Sequence, residues 1–245
     1  MAHASLKFVY GEPALIAGSG RDRHLVVADL HIGMELKLSK RGIHLFNATD
    51  RMAERIRRIM GDFSIDKLVI LGDVKDSILY PEGAEIKLLK GFFRQMEGFD
   101  LNIVAGNHDA HLESIIGHDV VKELVVGDFG FVHGNRKPGE EMMMLSYIIS
   151  AHDHLAVRMK DKNGAIYEQK AWAIYRLNAR SARSAYERFN GKIRLVSMPA
   201  FNELITGTAI GDSPKRLNPL LSSGIFSARS AEVYNISGQR VKARG

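Results

Sequence analysis

The chain of 245 residues contains no cysteine, which excludes a disulfide framework and every metal site that depends on thiolate. Only His, Asp, Glu and Asn side chains remain to hold a metal ion. No run reaches the roughly 18 apolar residues that a membrane-spanning helix needs, and the apolar stretch from Met142 to Ile149 is far too short. Residues Met1 to Phe8 lack the apolar segment and cleavage pattern of a secretory leader, so a cytoplasmic protein with no membrane partner is expected. The six prolines form no linker, and there is no internal repeat or low-complexity tract. The expectation is a single domain over residues 1–245 without a separate cap.

Apolar residues make up 45% of the chain, enough for a sizeable core. The net charge of +6 makes a polyanion such as DNA or RNA a reasonable partner, although a solvated basic surface accounts for it as well.

Apolar patterning places strands at His24–Leu30, Lys67–Leu71 and Leu101–Ala105. Helices are expected between them at Asn47–Met60, capped by Asn47 or Thr49, and at Glu85–Gln95. Strand alternating with helix implies a parallel sheet. Beyond this the pattern turns to strands: Val120–Val126, Gly130–His133, Tyr147–Ala151, Ala165–Gln169, Ala171–Tyr175, Lys192–Val196 and Glu232–Ile236, with Asn163-Gly164 as a hairpin turn. Asn178–Asn190 has the composition of a helix, and 205–230 reads as irregular.

The early strands each run into polar residues that packing does not require. Asp29 and His31 follow the first, Asp73 the second, Asn107 and His108 the third. Ligands of open α/β sheets gather outside the carboxyl ends of strands, so these side chains converge. His133 ends a later strand, and His152 and His154 sit two apart, on one side if the segment is extended. Taken singly, each motif has a mundane explanation: a capped turn, a tight Gly turn, a surface histidine. Their order at successive strand ends is what carries information. The inventory of two carboxylates, one amide and four imidazoles suits Mn²⁺, Fe²⁺ or Zn²⁺ better than Mg²⁺ or Ca²⁺. Seven ligands fit two ions if one carboxylate bridges.

In this order the residues resemble the calcineurin-like metallophosphoesterase superfamily. Its motifs appear as Asp29-Leu-His31, Gly72-Asp73 with Asp76, Gly106-Asn107-His108-Asp109, His133-Gly134 and His152-Asp153-His154. Asp29–Glu35, Pro199–Asn202 and Asn218–Leu221 are also similar to small prokaryotic phosphoesterases related to the SbcD nuclease. The resemblance implies an α/β fold, a two-sheet β-sandwich flanked by α-helices in four layers. It implies that Asp29, His31 and His154 hold one divalent ion, probed best as Mn²⁺, and Asn107, His133 and His152 the second, with Asp73 bridging. His108 would be the general acid, with Asp109 orienting its ring, and Asp76 a turn or supporting residue. Ala151 stands where the family usually has Gly, and Leu155 where Pro is common, which touches loop geometry and no ligand.

The expected chemistry is hydrolysis of a phosphate ester by a hydroxide held between two metals, with His108 donating to the leaving oxygen. Substrate class divides between DNA or RNA and a small diester or monoester; a non-catalytic scaffold on the same fold is the third reading. Arg41, His44, Asn135 and Arg136 flank the motifs, Met142–Met144 is expected to pack, and His3, His24, His111 and His118 are expected on the surface.

Overall fold

Strands whose successive residues are all apolar need a sheet covered on both faces. The computed structural model, which describes residues 5–210 and 218–241, contains such a sheet. Its strands are β1 (Ser5–Phe8), β2 (Leu15–Ser19), β3 (Asp22–Ala28), β4 (Lys67–Leu71), β5 (Asp100–Val104) and β6 (Val120–Val121), hydrogen-bonded in that order. β3 to β6 are parallel, and β1 and β2 extend the edge antiparallel. Helices α1 (Met34–Ser39), α2 (Ala48–Phe63), α3 (Gly83–Gln95) and α4 (Leu112–Ile116) occupy the crossovers.

The second sheet is built from β7 (Leu124–Val126), β8 (Phe129–Phe131), β9 (Tyr147–Ser150), β10 (Leu155–Lys160), β11 (Ile166–Leu177), β12 (Arg194–Ser197), β13 (Thr208–Ala209), β14 (Phe226–Asn235) and β15 (Arg240–Val241). Its described order is 13-10-11-12-9-8-7, with β14 added on β11 and β15 on β14. Two short helices, α5 (Ala179–Arg183) and α6 (Pro219–Ser222), and a 3-10 turn at Glu140–Met144 lie on its outer side.

Alternation along the strands assigns the layers. Leu25 and Val27 of β3 face α2 and α3, where Ile56, Ile59, Leu89 and Phe92 cover them. Val26 and Ala28 point the other way, onto Phe129, Phe131, Trp172 and Val196 of the second sheet. The far side of that sheet packs Ile148, Leu195 and Tyr175 under Met142, Met143, Leu220 and Leu221. Helices, sheet, sheet and short helices make the α/β four-layer sandwich expected from sequence. Met142 and Met143 are packing residues, as read.

Several sequence boundaries move. Val120–Val126 is not one strand: the chain leaves the first sheet after Val121 and enters the second at Leu124. Ala165–Gln169 and Ala171–Tyr175 fuse into β11, which pairs with β10 across the expected Asn163-Gly164 turn. Only Ala179–Arg183 of Asn178–Asn190 is helical. The α2 start carries no side-chain cap: Asn47 is left-handed at φ 55°, and the Thr49 hydroxyl bonds Glu35 instead. Within 205–230, β13, α6 and the start of β14 are ordered elements, and 211–217 lie outside the described residues, as does His3. His24 is not on the surface: it is 4% exposed, within β3. Among the described residues no helix is long and apolar enough to cross a membrane.

Candidate metal centre

Parallel register brings the strand ends level. Ala28 pairs with Leu71, and Leu71 with Val104, so Asp29, Asp73 and the Gly106–Asp109 segment emerge at one edge. β9 ends at Ser150 in the second sheet and delivers His152 and His154 to the same place, with His133 arriving after β8.

Two groups of ligand atoms result. Asp29, His31, Asp73 and His154 form one, and Asp73, His133 and His152 form the other; within each, the ligand atoms lie within 4.8 Å of one another. Asp73 belongs to both. Its Oδ2 is 3.3 Å from His133 Nε2 and 3.7 Å from His31 Nε2. His154 Nε2 lies 3.3 Å from Asp29 Oδ1.

The donor set fits a cation better than it fits itself. Asp29 is 0% exposed, and neither carboxylate oxygen receives a well-formed hydrogen bond; only the His154 and His133 rings, 3.3 and 3.8 Å from Oδ1, lie beside it. A carboxylate buried with so little hydrogen bonding is costly. Imidazole nitrogens also face each other, His31 Nε2 to His154 Nε2 at 3.4 Å and His152 Nδ1 to His133 Nε2 at 3.2 Å. Converging lone pairs of nitrogen and oxygen, with no sulfur, match the preferences of Mn²⁺, Fe²⁺ or Zn²⁺.

The clustered charges shift one another's proton affinities. Burial lowers the pKa of His133, but its hydrogen bond to Asp73 and the charge of Asp29 outweigh this and push it up to about 9. Burial raises Asp29 and Asp73, but the neighbouring imidazoles, His154 for Asp29 and His133 for Asp73, hold both below the usual carboxylate range. His152 is lowered, by burial and by the adjacent His133.

The backbone is bent to make this arrangement. Eight described non-glycine residues have positive φ, and five of them are expected ligands: Asp29 (53°), His31 (41°), Asp73 (46°), His152 (74°) and His154 (45°). The left-handed region disfavours residues with a Cβ by about 1–2 kcal/mol each, and such strain concentrates at functional sites. Two glycines are required by close approach. A Cβ on Gly72 would stand 2.1 Å from His133 Nδ1, and one on Gly106 would stand 2.2 Å from Asp73 N and Oδ1.

Surrounding groups fix the rings. His133 Nδ1 donates to the Leu71 carbonyl at 3.1 Å, which turns Nε2 toward Asp73. His31 Nδ1 is 3.4 Å from Asp76, whose other oxygen takes Lys37 Nζ at 2.6 Å. Asp76 is thus a supporting residue of the centre. His108 lies beside it, half-buried, with Nδ1 donating to the Asp76 carbonyl at 2.7 Å and Nε2 4.0 Å from Asp73 Oδ2.

One expected role is corrected. Asp109 does not orient the His108 ring; its carboxylate accepts the backbone N–H groups of Val74, Lys75 and Gly106, at 2.8, 3.3 and 2.8 Å. It ties two ligand-bearing loops together. Asn107 is exposed on the turn between Gly106 and His108.

Arg41 and His44 are exposed on the loop after α1, and Asn135 and Arg136 are half-buried behind His133. Sequence reasoning missed Lys75, Glu35 and Glu85, all buried here. Lys and Glu in charged stretches give no signal of burial. The Pro199–Asn202 and Asn218 segments do have structural duties: Asn202 Nδ2 donates to Leu30 O at 2.7 Å, and Asn218 caps α6 while reaching Ser150 Oγ at 3.2 Å. Ala151 is fully buried and does not displace His152.

No protein-family model matches the sequence, and no curated protein does. Among solved structures, the crystal structure of nuclease MPE from Pseudomonas putida aligns over 96% of this chain and 98% of its own, at 16% identity and a TM-score of 0.59. The phosphoesterase Yfce from E. coli aligns over 89% of this chain and 96% of its own, at 13% identity and a TM-score of 0.41, too loosely to carry argument. The chain has the fold of the Pseudomonas putida nuclease, and on that fold Asp29, His31, Asp73, His133, His152 and His154 come together where the strands end.

Proposed function

We propose that this chain is a two-metal phosphodiesterase that cleaves nucleic acid, acting as one domain without a cap. The observation that carries the reading is the shared Asp73, which joins two ligand groups around the buried carboxylate of Asp29. Asp29, His31 and His154 would hold one ion and His133, His152 and Asn107 the other, with Asp73 between; Mn²⁺ is the ion to test first. When bound, such ions supply Lewis acidity toward phosphoryl oxygens and a water that is acidic near neutral pH.

The chain's own residues do the rest. Because the Asp76 carbonyl can only accept, His108 carries a proton on Nδ1 and presents Nε2 at the edge of the centre, where a second proton can be given to the leaving oxygen. Burial of Asp29, Asp73 and His133 strengthens electrostatic interactions there. The net charge of +6 and a fold shared with a protein described as a nuclease support nucleic acid as the ester.

The test is Mn²⁺-dependent hydrolysis of bis(p-nitrophenyl) phosphate against p-nitrophenyl phosphate, with His108→Ala alongside. Turnover of the diester, reduced about 10²-fold or more in the variant, is expected. No turnover of either ester by metal-loaded protein would overturn the enzyme reading and favour a scaffold.

A further inference from the structure

Beside the metal centre the chain displays apolar side chains that a loop would ordinarily fold inward. Of the eleven large apolar residues exposed among the described ones, five lie on two neighbouring loops: Ile43 and Phe46 before α2, and Ile78, Leu79 and Tyr80 before α3. Lys40 Nζ on one loop bonds the Glu82 carboxylate beside the other at 3.2 Å. The second loop starts at Asp76, whose side chain meets His31 and whose carbonyl holds His108. The Tyr80 ring also lies at a tilt of 59° to His111, three residues past His108, with centroids 5.8 Å apart.

The exposed turn is held from beneath. Lys75 is 0% exposed, and its ammonium donates to the carbonyls of Ser77, Ile78 and Leu79, the last at 2.9 Å. Glu85 Oε1 accepts from Asp76 N, Ser77 N and Ser77 Oγ at 3.1, 3.0 and 2.9 Å. With three carbonyls drawn inward onto one buried cation, the side chains of Ile78, Leu79 and Tyr80 point out, at 60%, 79% and 61% exposure. A pinned backbone cannot collapse to hide them, so the apolar surface is presented rather than merely left over.

We propose that the Ile78–Tyr80 turn is a stacking subsite for an unpaired nucleobase next to the scissile phosphate, with Lys75 as its positioning residue. The proposal rests on the nuclease reading above and deepens it to single-stranded substrate. The occupant follows from what surrounds the turn. Lys37 and Lys40, paired with Asp76 and Glu82 at its two ends, border it, and aromatic or apolar faces interleaved with cations are how single strands are held: charges follow the phosphates while bases stack. A paired base offers no free face to Tyr80.

The experiment measures fluorescence anisotropy of metal-loaded protein with a short phosphorothioate oligothymidylate, its abasic counterpart and a duplex. Wild type is expected to prefer the base-bearing strand over the abasic one by about ten-fold. Tyr80→Ala removes that preference, Tyr80→Phe restores it, and Lys75→Met weakens it while Tyr80 is still present. Tyr80 is exposed, so its variants fold even if Lys75→Met does not. Equal affinity of wild type for abasic and base-bearing strands, or equal loss on both in Tyr80→Ala, overturns the subsite. Tighter duplex binding that ignores Tyr80 does the same. Simple diester turnover by wild type, measured separately, distinguishes failure of the subsite from failure of the phosphodiesterase reading.

Discussion

Replacing Gly72 by Ala tests how tightly backbone and ligand are interlocked. Gly72 has φ +75°, and an added Cβ would meet His133 Nδ1 at 2.1 Å, Cγ at 2.4 Å and Cβ at 2.8 Å. The neighbour is a fully buried ring hydrogen-bonded to Leu71 O, not the free end of a flexible chain. Two costs add. The left-handed conformation disfavours Ala by about 1–2 kcal/mol, and pushing the ring aside forfeits a buried hydrogen bond and overpacks the site, about 2–4 kcal/mol more. Gly11 is the matched control: φ is +76° and nothing lies within 4 Å of its added Cβ, so Gly11→Ala carries only the conformational part. Urea unfolding in chelator, where metal cannot contribute, should show Gly72→Ala about 3–6 kcal/mol less stable and Gly11→Ala about 1–2. Equal losses would refute the interlock, because the ring would then have moved without resistance.

Asp109→Ala should destabilise the protein by about 2–5 kcal/mol by stranding the N–H groups of Val74, Lys75 and Gly106. Per folded molecule, diester turnover should fall much less than in His108→Ala, and similar losses in kcat would return Asp109 to an orienting role. Burial lowers the pKa of His24 below its ordinary 6.5, and its Nδ1 has no partner. Below that pH the unfolded chain takes a proton the folded chain refuses, so stability is complete above about 6.5 and falls as pH drops through it. His24→Leu should flatten the decline between about pH 7 and 5 in urea midpoints; an unchanged slope would remove His24 from the account.

The half of the fold that was legible in sequence is the half with regular chemistry. β3 and β4 declare themselves through unbroken apolar runs ending in Asp and Gly-Asp, β5 through an apolar run broken only at Asn102 and ending in Gly-Asn-His, and α2 through Met52, Ile56 and Ile59 at helical spacing. β1 and β2 passed unnoticed because β1 is only four residues long with no buried position and a glycine interrupts β2. β10 starts directly after His154, so its apolar Leu155–Val157 was absorbed into the motif. The candidate ligands were readable because Asp and His at strand ends have no packing purpose. Their supports were not. Lys75 and Glu85 look like surface charges in one dimension, and only tertiary structure shows an ammonium closed over three carbonyls or a carboxylate bound to the backbone of a turn. The orienting role of Asp109 was implied by the family resemblance, whereas the backbone turns its carboxylate toward Val74 and Gly106.

The central claim is a pair of ions sharing Asp73, and metal content per chain tests it most directly. Protein loaded with Mn²⁺ and freed of excess should carry two ions. His154→Ala and His152→Ala should each retain about one, because each ring belongs to a different group, and Asp73→Ala should retain neither. His108→Ala should keep both. A wild type that holds a single ion, or an Asp73→Ala variant that still holds two, would contradict the account.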